Sequence, residues 1–171
     1  MKKKIVSFSR LGGPEVLKLE LQEELEPKAN EVRISVKAIG LNRAETLFRA
    51  GTYLERPDLP SRIGYEASGI VDAVGAGVSH LAVGDKVSVV PAFQMNDYGV
   101  HGETAIVPAR AVVKHPDVLS FEEAAGFWMQ YLTAAGALFD VGKANATARC
   151  CNNHRLCSLK LADIEKGSSG S

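Results

Sequence analysis

Short runs of β-favouring residues recur between positions 70 and 113, and glycines and prolines separate them. The runs are Ile70–Val71, Lys86–Val90, Thr104–Val107 and Val112–Val113. Each is too short for an ordinary helix, and no helical period of apolar residues interrupts the series. This spacing is typical of small β-barrels, in which tight turns join short strands. The sequence therefore predicts a β-barrel over this region.

Four further segments complete the predicted layout. Apolar and polar residues alternate over Val16–Leu21 and Val32–Ala38, as expected for half-buried strands. Residues 42–50 lose that alternation and favour a short helix, which Gly51 can end because glycine tolerates positive φ. A capping-box pattern, Ser-Phe-Glu-Glu, predicts the start of a longer helix over residues 120–139. The expected fold is mainly β with flanking helices.

Length and charge narrow the class of protein. A chain of 171 residues is long enough for one well-buried domain, and a second full domain would not fit. Its 20 basic and 20 acidic side chains leave no net charge, so we expect no nucleic-acid partner. The apolar run after the N-terminal lysines is too short for a signal peptide or a membrane span. We therefore expect a cytoplasmic protein with no membrane partner.

The sequence after Gly142 has a different character. All three cysteines, Cys150, Cys151 and Cys157, lie there, so the first 149 residues contain no thiol for a disulfide or a thiolate-bound metal. His154 lies among them, but adjacent cysteines in a segment without periodicity are weak evidence for a closed zinc site. The sequence predicts no metal centre.

Residues 144–166 form a tail without helical or strand periodicity, and residues 167–171 resemble a remnant of an expression vector. Codons for residues 149–157, shifted by one base, can encode Val-Val-Val-Ile-Thr-Thr-Ala-Ser. That run resembles the first strand and turn of a Rossmann fold. We hypothesise that the tail is translated from the wrong reading frame. A source gene with no such continuation in another frame would eliminate this hypothesis.

Three ordered motifs carry a resemblance to a known family. They are residues 38–53 (AIGLNRAETLFRAGTY), 64–75 (GYEASGIVDAVG) and 124–133 (AAGFWMQYLT), with a weaker fourth at Gly84–Val87. Together they resemble the zinc-free quinone oxidoreductase and zeta-crystallin branch of the medium-chain dehydrogenases, over about residues 1–143. Three motifs in the expected order are much harder to obtain by chance than one.

The resemblance implies a GroES-like β-barrel at residues 1–143 that forms the substrate side of the active site. In this family a Rossmann domain that binds NADPH follows, and we expect that domain to be missing here. The segment Gly75–His80 resembles a dinucleotide-binding fingerprint but continues toward another strand, so we interpret it as a barrel loop. The chain alone is expected to have little or no activity.

The zinc-binding positions of related enzymes are altered in this sequence. Relatives with a catalytic zinc have Cys at the position of Asn42 and His at that of Tyr65, and neither an amide nor a phenol is an ordinary zinc ligand. Glu66 matches the glutamate of the Gly-His-Glu motif in those relatives, but here it follows Tyr65 and not a histidine. The hydride would then be transferred to a quinone or an α,β-unsaturated carbonyl. Hydrogen-bond donors can stabilise the oxyanion that develops on such an acceptor. The sequence leaves quinone, enoyl and alkenal acceptors open.

Asn42 and Tyr53 are the predicted catalytic residues. Asn42 offers an amide N–H and Tyr53 a phenolic O–H on either side of the short helix, and the resemblance implies that both line the substrate and nicotinamide pocket. The plainer alternatives are a helix N-cap for Asn42 and a half-buried packing ring for Tyr53.

The resemblance implies further contacts for the substrate and the cofactor. Asn42, Gln130 and Thr133 are the candidate cofactor-binding residues; the Thr133 hydroxyl could bond the nicotinamide carboxamide, and Tyr131 is a further candidate nearby. The plainer alternative for this helix is packing at the domain boundary. Glu45 and Tyr65 are the candidate substrate-binding residues.

Other polar residues receive plain structural interpretations. Glu45 and Arg49 have the helical spacing of a surface ion pair, which would contribute about 0.3–0.5 kcal/mol. We adopt that interpretation for Arg49, whereas Glu45 stays a candidate for the pocket. His80, His101 and His115 stand alone in loops without a nucleophile pattern, so no hydrolase triad is supported and all three are predicted to be solvated.

The competing hypothesis is a non-catalytic module. Apolar residues around Phe127, Trp128, Leu132 and Leu138, deprived of a cofactor domain, would form an exposed patch that binds a partner or a second copy. A homodimer or other self-association through this face is the expected assembly.

Overall fold

The computed structural model describes residues 1–143. In this part, strands are β1 (Lys2–Phe8), β2 (Lys18–Glu23), β3 (Glu31–Ile39), β4 (Ser61–Arg62), β5 (Ala67–Val74), β6 (Lys86–Val89), β7 (Thr104–Pro108) and β8 (Val112–Lys114). Helices are α1 (Arg43–Ala50), α2 (Phe121–Ala125) and α3 (Trp128–Ala135), with 3-10 turns at Pro14–Val16 and Ala109–Ala111 and a π-helix at Gly136–Val141. The predicted mainly β class is confirmed.

The strands form two antiparallel sheets, one of three strands in the order β2-β1-β4 and one of five in the order β7-β3-β5-β6-β8. Two backbone hydrogen bonds join β1 to the segment before β7, from Val6 N to His101 O at 2.9 Å and from Glu103 N to Lys4 O at 2.8 Å. Within residues 1–143 the sheets are not closed into the single hydrogen-bonded barrel that the sequence predicted.

Two apolar clusters lie in the first of the two units of the chain, Met1–Tyr131. One is formed by the five-stranded sheet, where alternate residues such as Val32 and Ile34 are fully buried. The other lies under α1 and contains Phe48, which is 0% exposed and packs edge-on against Phe8 at 5.9 Å between ring centroids. Phe48 therefore fixes α1 to β1.

The second unit is Leu132–Ser171, of which residues 132–143 are described. It contains the C-terminal part of α3 and the π-helix. The single helix predicted over residues 120–139 is wrong, because α2 ends at Ala125 and a separate helix begins at Trp128. Gly126 lies at the break, where glycine weakens helix continuation.

The N-terminal region departs from the sequence prediction in two ways. β1 was not predicted, because three successive lysines hide its alternation. β2 was predicted as half-buried, yet Leu19 and Leu21 are 73% and 64% exposed. β2 lies at the edge of its sheet, so its apolar side chains have few neighbours to cover them. None of the helices in residues 1–143 combines the length and apolar character of a membrane span.

Candidate functional site

The pairing of β3 with β5 brings Asn42 and Glu66 to the same edge of the five-stranded sheet. The strands are antiparallel neighbours, with Ile39 opposite Ala67, so the residues just after β3 meet those just before β5. Gly40 N donates to Glu66 O at 3.0 Å, and Asn42 Nδ2 donates to Glu66 Oε2 at 2.7 Å. Two positions 24 residues apart in sequence thus form one polar centre.

Glu66 is the most buried acidic side chain of this centre, with 1% of its surface exposed. Its second oxygen, Oε1, accepts a hydrogen bond from Met129 N at 2.6 Å. Met129 is the second residue of α3, so the carboxylate also satisfies one of the amides that a helix start leaves without an intrahelical partner. A buried carboxylate requires such donors, and the two bonds explain how Glu66 is tolerated here.

Glu45 holds the start of α1 against Tyr65. Its side chain is 5% exposed and accepts from Asn42 N at 2.6 Å and from Tyr65 N at 3.2 Å, and it forms a capping box with Asn42. Burial raises the pKa of Glu45, although these N–H donors act in the opposite direction. The predicted surface ion pair is wrong, because Glu45 faces inward and Arg49 Nε donates instead to Gly12 O at 3.1 Å.

Aromatic rings line the region beside Glu45. Tyr53, Tyr65 and Phe93 are in sequential contact, with centroid distances of 6.5 and 5.8 Å. Tyr65 is buried, and its hydroxyl donates to Glu55 Oε2 at 3.3 Å. Burial raises the pKa of Tyr65, and the neighbouring Glu55 raises it further, so this phenol stays protonated. Tyr53 and Phe93 are half-buried and form the exposed side of the cluster.

The loop that carries Tyr53 is tied to a second loop by a set of contacts that sequence reasoning missed. Glu55 accepts hydrogen bonds from Met95 N at 3.1 Å and Asn96 N at 3.0 Å. Asn96 Nδ2 in turn donates to Arg56 O at 2.7 Å. These partners lie about forty residues apart and follow no sequence motif, so no local signal points to them.

His101 is buried at the seam between the two sheets. Its side chain is 5% exposed, and Nε2 lies 3.1 Å from Gly40 O, which can only accept, so this nitrogen carries the proton. The prediction that His101 is solvated is wrong, because the 101–103 segment joins β1. Burial lowers the pKa of His101, and the positive charge of Arg62 lowers it further.

We expect His101→Gln to flatten the pH dependence of stability, because glutamine can still donate to Gly40 O but does not titrate. The folded pKa lies below the ordinary value of 6.5. The neutral ring therefore makes its whole contribution to the free energy of unfolding above pH 6.5, and this contribution is lost as the pH falls through the pKa of the folded state. Between neutral and mildly acidic pH, the free energy of unfolding of the unsubstituted chain should fall more steeply than that of the variant, by up to about 1.4 kcal/mol per pH unit.

Urea unfolding of both chains over that pH range measures the effect. The comparison cancels the contribution of Glu45, whose raised pKa acts in the opposite sense. Parallel pH profiles for the two chains would contradict the assignment of His101 as a buried neutral group.

The structure therefore brings four candidates, Asn42, Glu45, Tyr53 and Tyr65, into one connected set in the first unit. Gln130 is exposed on α3, where Nε2 donates to Gly126 O at 2.7 Å. Thr133 is exposed in the part of α3 that belongs to the second unit.

Metal-ligating side chains do not cluster in the described part of the chain, where no group of three or more His, Cys, Asp or Glu residues is placed to hold an ion. The sequence interpretations of Cys150, Cys151, His154 and Cys157, and of the tail as a whole, lie outside the described residues.

Comparison with known proteins identifies the family. Residues 28–134 match the alcohol dehydrogenase GroES-like domain, and the chain belongs to that family. The quinone oxidoreductase of Pseudomonas aeruginosa is 38% identical over 130 residues, which are 76% of this chain and 38% of that protein. The chain spans less than half the length of the curated relatives it matches.

Solved structures show the same similarity. The human synaptic vesicle membrane protein VAT-1 homolog-like protein superposes with a TM-score of 0.77 at 36% identity, covering 85% of this chain and 45% of that one. The Escherichia coli quinone oxidoreductase in complex with NADPH gives a TM-score of 0.72 at 34% identity, covering 81% of this chain and 41% of that one. The expected resemblance to quinone oxidoreductases is confirmed.

Proposed function

We propose that residues 1–143 form the substrate side of an NADPH-dependent quinone or enone oxidoreductase that works without zinc. The observation that supports this most is a connected set of contacts: Glu66 holds the Asn42 amide, and Glu45 links Asn42 to Tyr65, whose ring contacts the half-buried rings of Tyr53 and Phe93. A polar donor and aromatic rings in one set suit a flat, conjugated carbonyl compound, which can stack while its oxygen accepts a hydrogen bond. The similarity to quinone oxidoreductases points to the same substrate class.

The side chains at the positions of the zinc ligands favour polarisation by hydrogen bonds. Asn42 turns its NH2 group to Glu66, and an amide NH2 group is not a metal ligand. The hydroxyl of Tyr65 is engaged by Glu55 and stays protonated. Asn42 and Tyr53 are therefore the proposed donors to the acceptor oxygen as negative charge develops on it. Glu45 and Tyr65 are the proposed substrate-binding residues.

NADPH would supply the hydride, and the first unit of this chain would meet its nicotinamide end through Asn42 and Gln130. Thr133, in the second unit, is a separate proposed contact. The glycine-containing loop between Val74 and Lys86 joins two strands, β5 and β6, and so lacks the helix start that cradles a dinucleotide phosphate. We propose that the phosphates are bound by a domain outside the described residues, and that the protein is cytoplasmic.

We expect the 171-residue chain to bind a quinone but not to consume NADPH. Equilibrium dialysis with tetramethyl-1,4-benzoquinone, which has no free ring position for thiol addition, should give saturable binding. Tyr53→Ala should weaken it about three- to tenfold through lost stacking and a lost hydrogen bond. Leu19→Ala removes an exposed apolar side chain from β2, at the edge of the three-stranded sheet, and should leave binding unchanged. Steady NADPH oxidation by this chain, or equal affinity in both variants, would contradict the proposal.

A second candidate is a non-catalytic module that associates through α3. Phe127 and Tyr131 are 39% and 45% exposed, and their rings lie 4.6 Å apart. Such exposed aromatic pairs favour contacts with another surface. Light scattering distinguishes the two: a strict monomer at all concentrations disfavours this candidate, whereas self-association that Tyr131→Ala abolishes supports it.

A further inference from the structure

Glu66 receives N–H donors from two different segments, and this limits which side chain can occupy its position. Oε2 accepts from Asn42 Nδ2 at 2.7 Å, and Oε1 accepts from Met129 N at 2.6 Å. A carboxylate offers two acceptor oxygens, which matches two donors. A glutamine would place its own NH2 group against one of them, in a site where the side chain is 1% exposed. The pair of donors therefore calls for a carboxylate.

The contact with Glu66 fixes which way the Asn42 amide points. Because the carboxylate needs a donor, the Nδ2 end faces Glu66, and the oxygen end is left for the capping box with Glu45 at the start of α1. Nδ2 carries two protons, and the bond to Glu66 uses one of them. Asn42 is half-buried, and its side chain also interacts with the Glu45 carboxylate, so two acidic groups orient the NH2 end of the amide.

The backbone at Gly40 makes room for this arrangement. A Cβ at that position would lie 2.8 Å from Glu66 Cβ and 3.0 Å from Glu66 Oε2, which is closer than side chains normally approach. Gly40 N also donates to Glu66 O at 3.0 Å. The close approach of the two segments thus depends on the absence of a side chain just after β3.

We propose that Glu66 is a positioning residue that locks the polarity of the Asn42 amide, so that its NH2 end, and not its oxygen, is presented to the acceptor oxygen. The inference rests on the proposed function, in which Asn42 polarises that oxygen. If the amide turned by half a rotation, it would present its oxygen instead and repel the developing negative charge. Glu66 acts through Asn42 and does not itself touch the substrate.

Nuclear magnetic resonance of the Asn42 side-chain amide tests the lock directly, without any ligand. In the unsubstituted chain, one Nδ2 proton of Asn42 should exchange with water more slowly than the other. The two Nδ2 signals are assigned to Asn42 because they disappear in the Asn42→Asp variant. In Glu66→Gln both signals should shift, whereas Glu55→Gln, a carboxylate change that does not touch Asn42, should leave them in place. Equal exchange of the two protons in the unsubstituted chain would overturn the proposal even if Glu66→Gln failed to fold.

A double-mutant cycle tests the functional consequence. Glu66→Gln and Asn42→Ala should each weaken binding of tetramethyl-1,4-benzoquinone about three- to tenfold, as expected for one lost hydrogen bond. In the Asn42→Ala background, Glu66→Gln should have no further effect, because its target is gone. Additive losses would overturn the proposal. If the unsubstituted chain binds no quinone while the amide signals behave as expected, the proposed function fails and the positioning role stands.

Discussion

Replacing Phe48 with alanine is expected to lower the free energy of unfolding by about 3–5 kcal/mol. The side chain is fully buried and its ring packs edge-on against Phe8, so truncation leaves a cavity under α1. α1 begins next to Asn42 and carries Glu45, so the same change should also loosen the candidate site. Urea unfolding followed by circular dichroism measures the loss.

The matched control for this variant is Arg43→Ala, an exposed residue at the start of the same helix. Surface changes of this kind usually alter stability by less than about 0.5 kcal/mol. A change of less than about 1 kcal/mol in the free energy of unfolding is typical of peripheral positions. If Phe48→Ala caused so small a change, the packing of α1 on β1 would be wrong.

Gly64→Ala is expected to lower the free energy of unfolding by about 2–4 kcal/mol, for two separate reasons. Gly64 has φ of 109°, a conformation in which an L side chain costs about 1–2 kcal/mol. An added Cβ would also overlap the ring of His101, which must then move away from Gly40 O. Gly64 directly precedes Tyr65 and Glu66, so the strain would reach the candidate site.

Gly84→Ala separates the two causes. Gly84 has a similar φ of 96°, yet an added Cβ would have no atom within 4 Å. It should therefore show the conformational cost alone, and Gly64→Ala should exceed it by at least about 1 kcal/mol of overpacking strain. Chemical denaturation of both variants gives the difference. Equal losses would contradict the close packing of His101 on Gly64.

Local patterns in the sequence predicted much of the first unit. The alternation of apolar and polar residues identified β3. The strands β5 to β8 are short and lie between glycine and proline breakers, as predicted. Helix α1 lies between Asn42 and Gly51, the two residues that its end signals indicated. Periodicity failed where tertiary context decides the outcome. The lysines of β1 mask a strand, and the leucines of β2 have no covering layer in the described residues.

The candidate site was predicted as a set of residue types but not as a set of contacts. Asn42 and Glu66 meet because β3 pairs with β5, and that pairing is a non-local property of the sheet. Glu45 is buried because it bonds an amide 20 residues further along the chain, which helical spacing with Arg49 does not reveal. His101 is buried for the same kind of reason, since its segment joins the two sheets.

We propose that a flat carbonyl acceptor binds at Asn42 and the rings of Tyr53 and Phe93. Chemical-shift mapping of the ¹⁵N-labelled chain during titration with tetramethyl-1,4-benzoquinone tests it most directly. We expect saturable shifts at the Asn42 side-chain amide and at the backbone amides of Tyr53 and Phe93. Shifts confined to another surface, such as the cavity lined by His80 and Arg110, would contradict it.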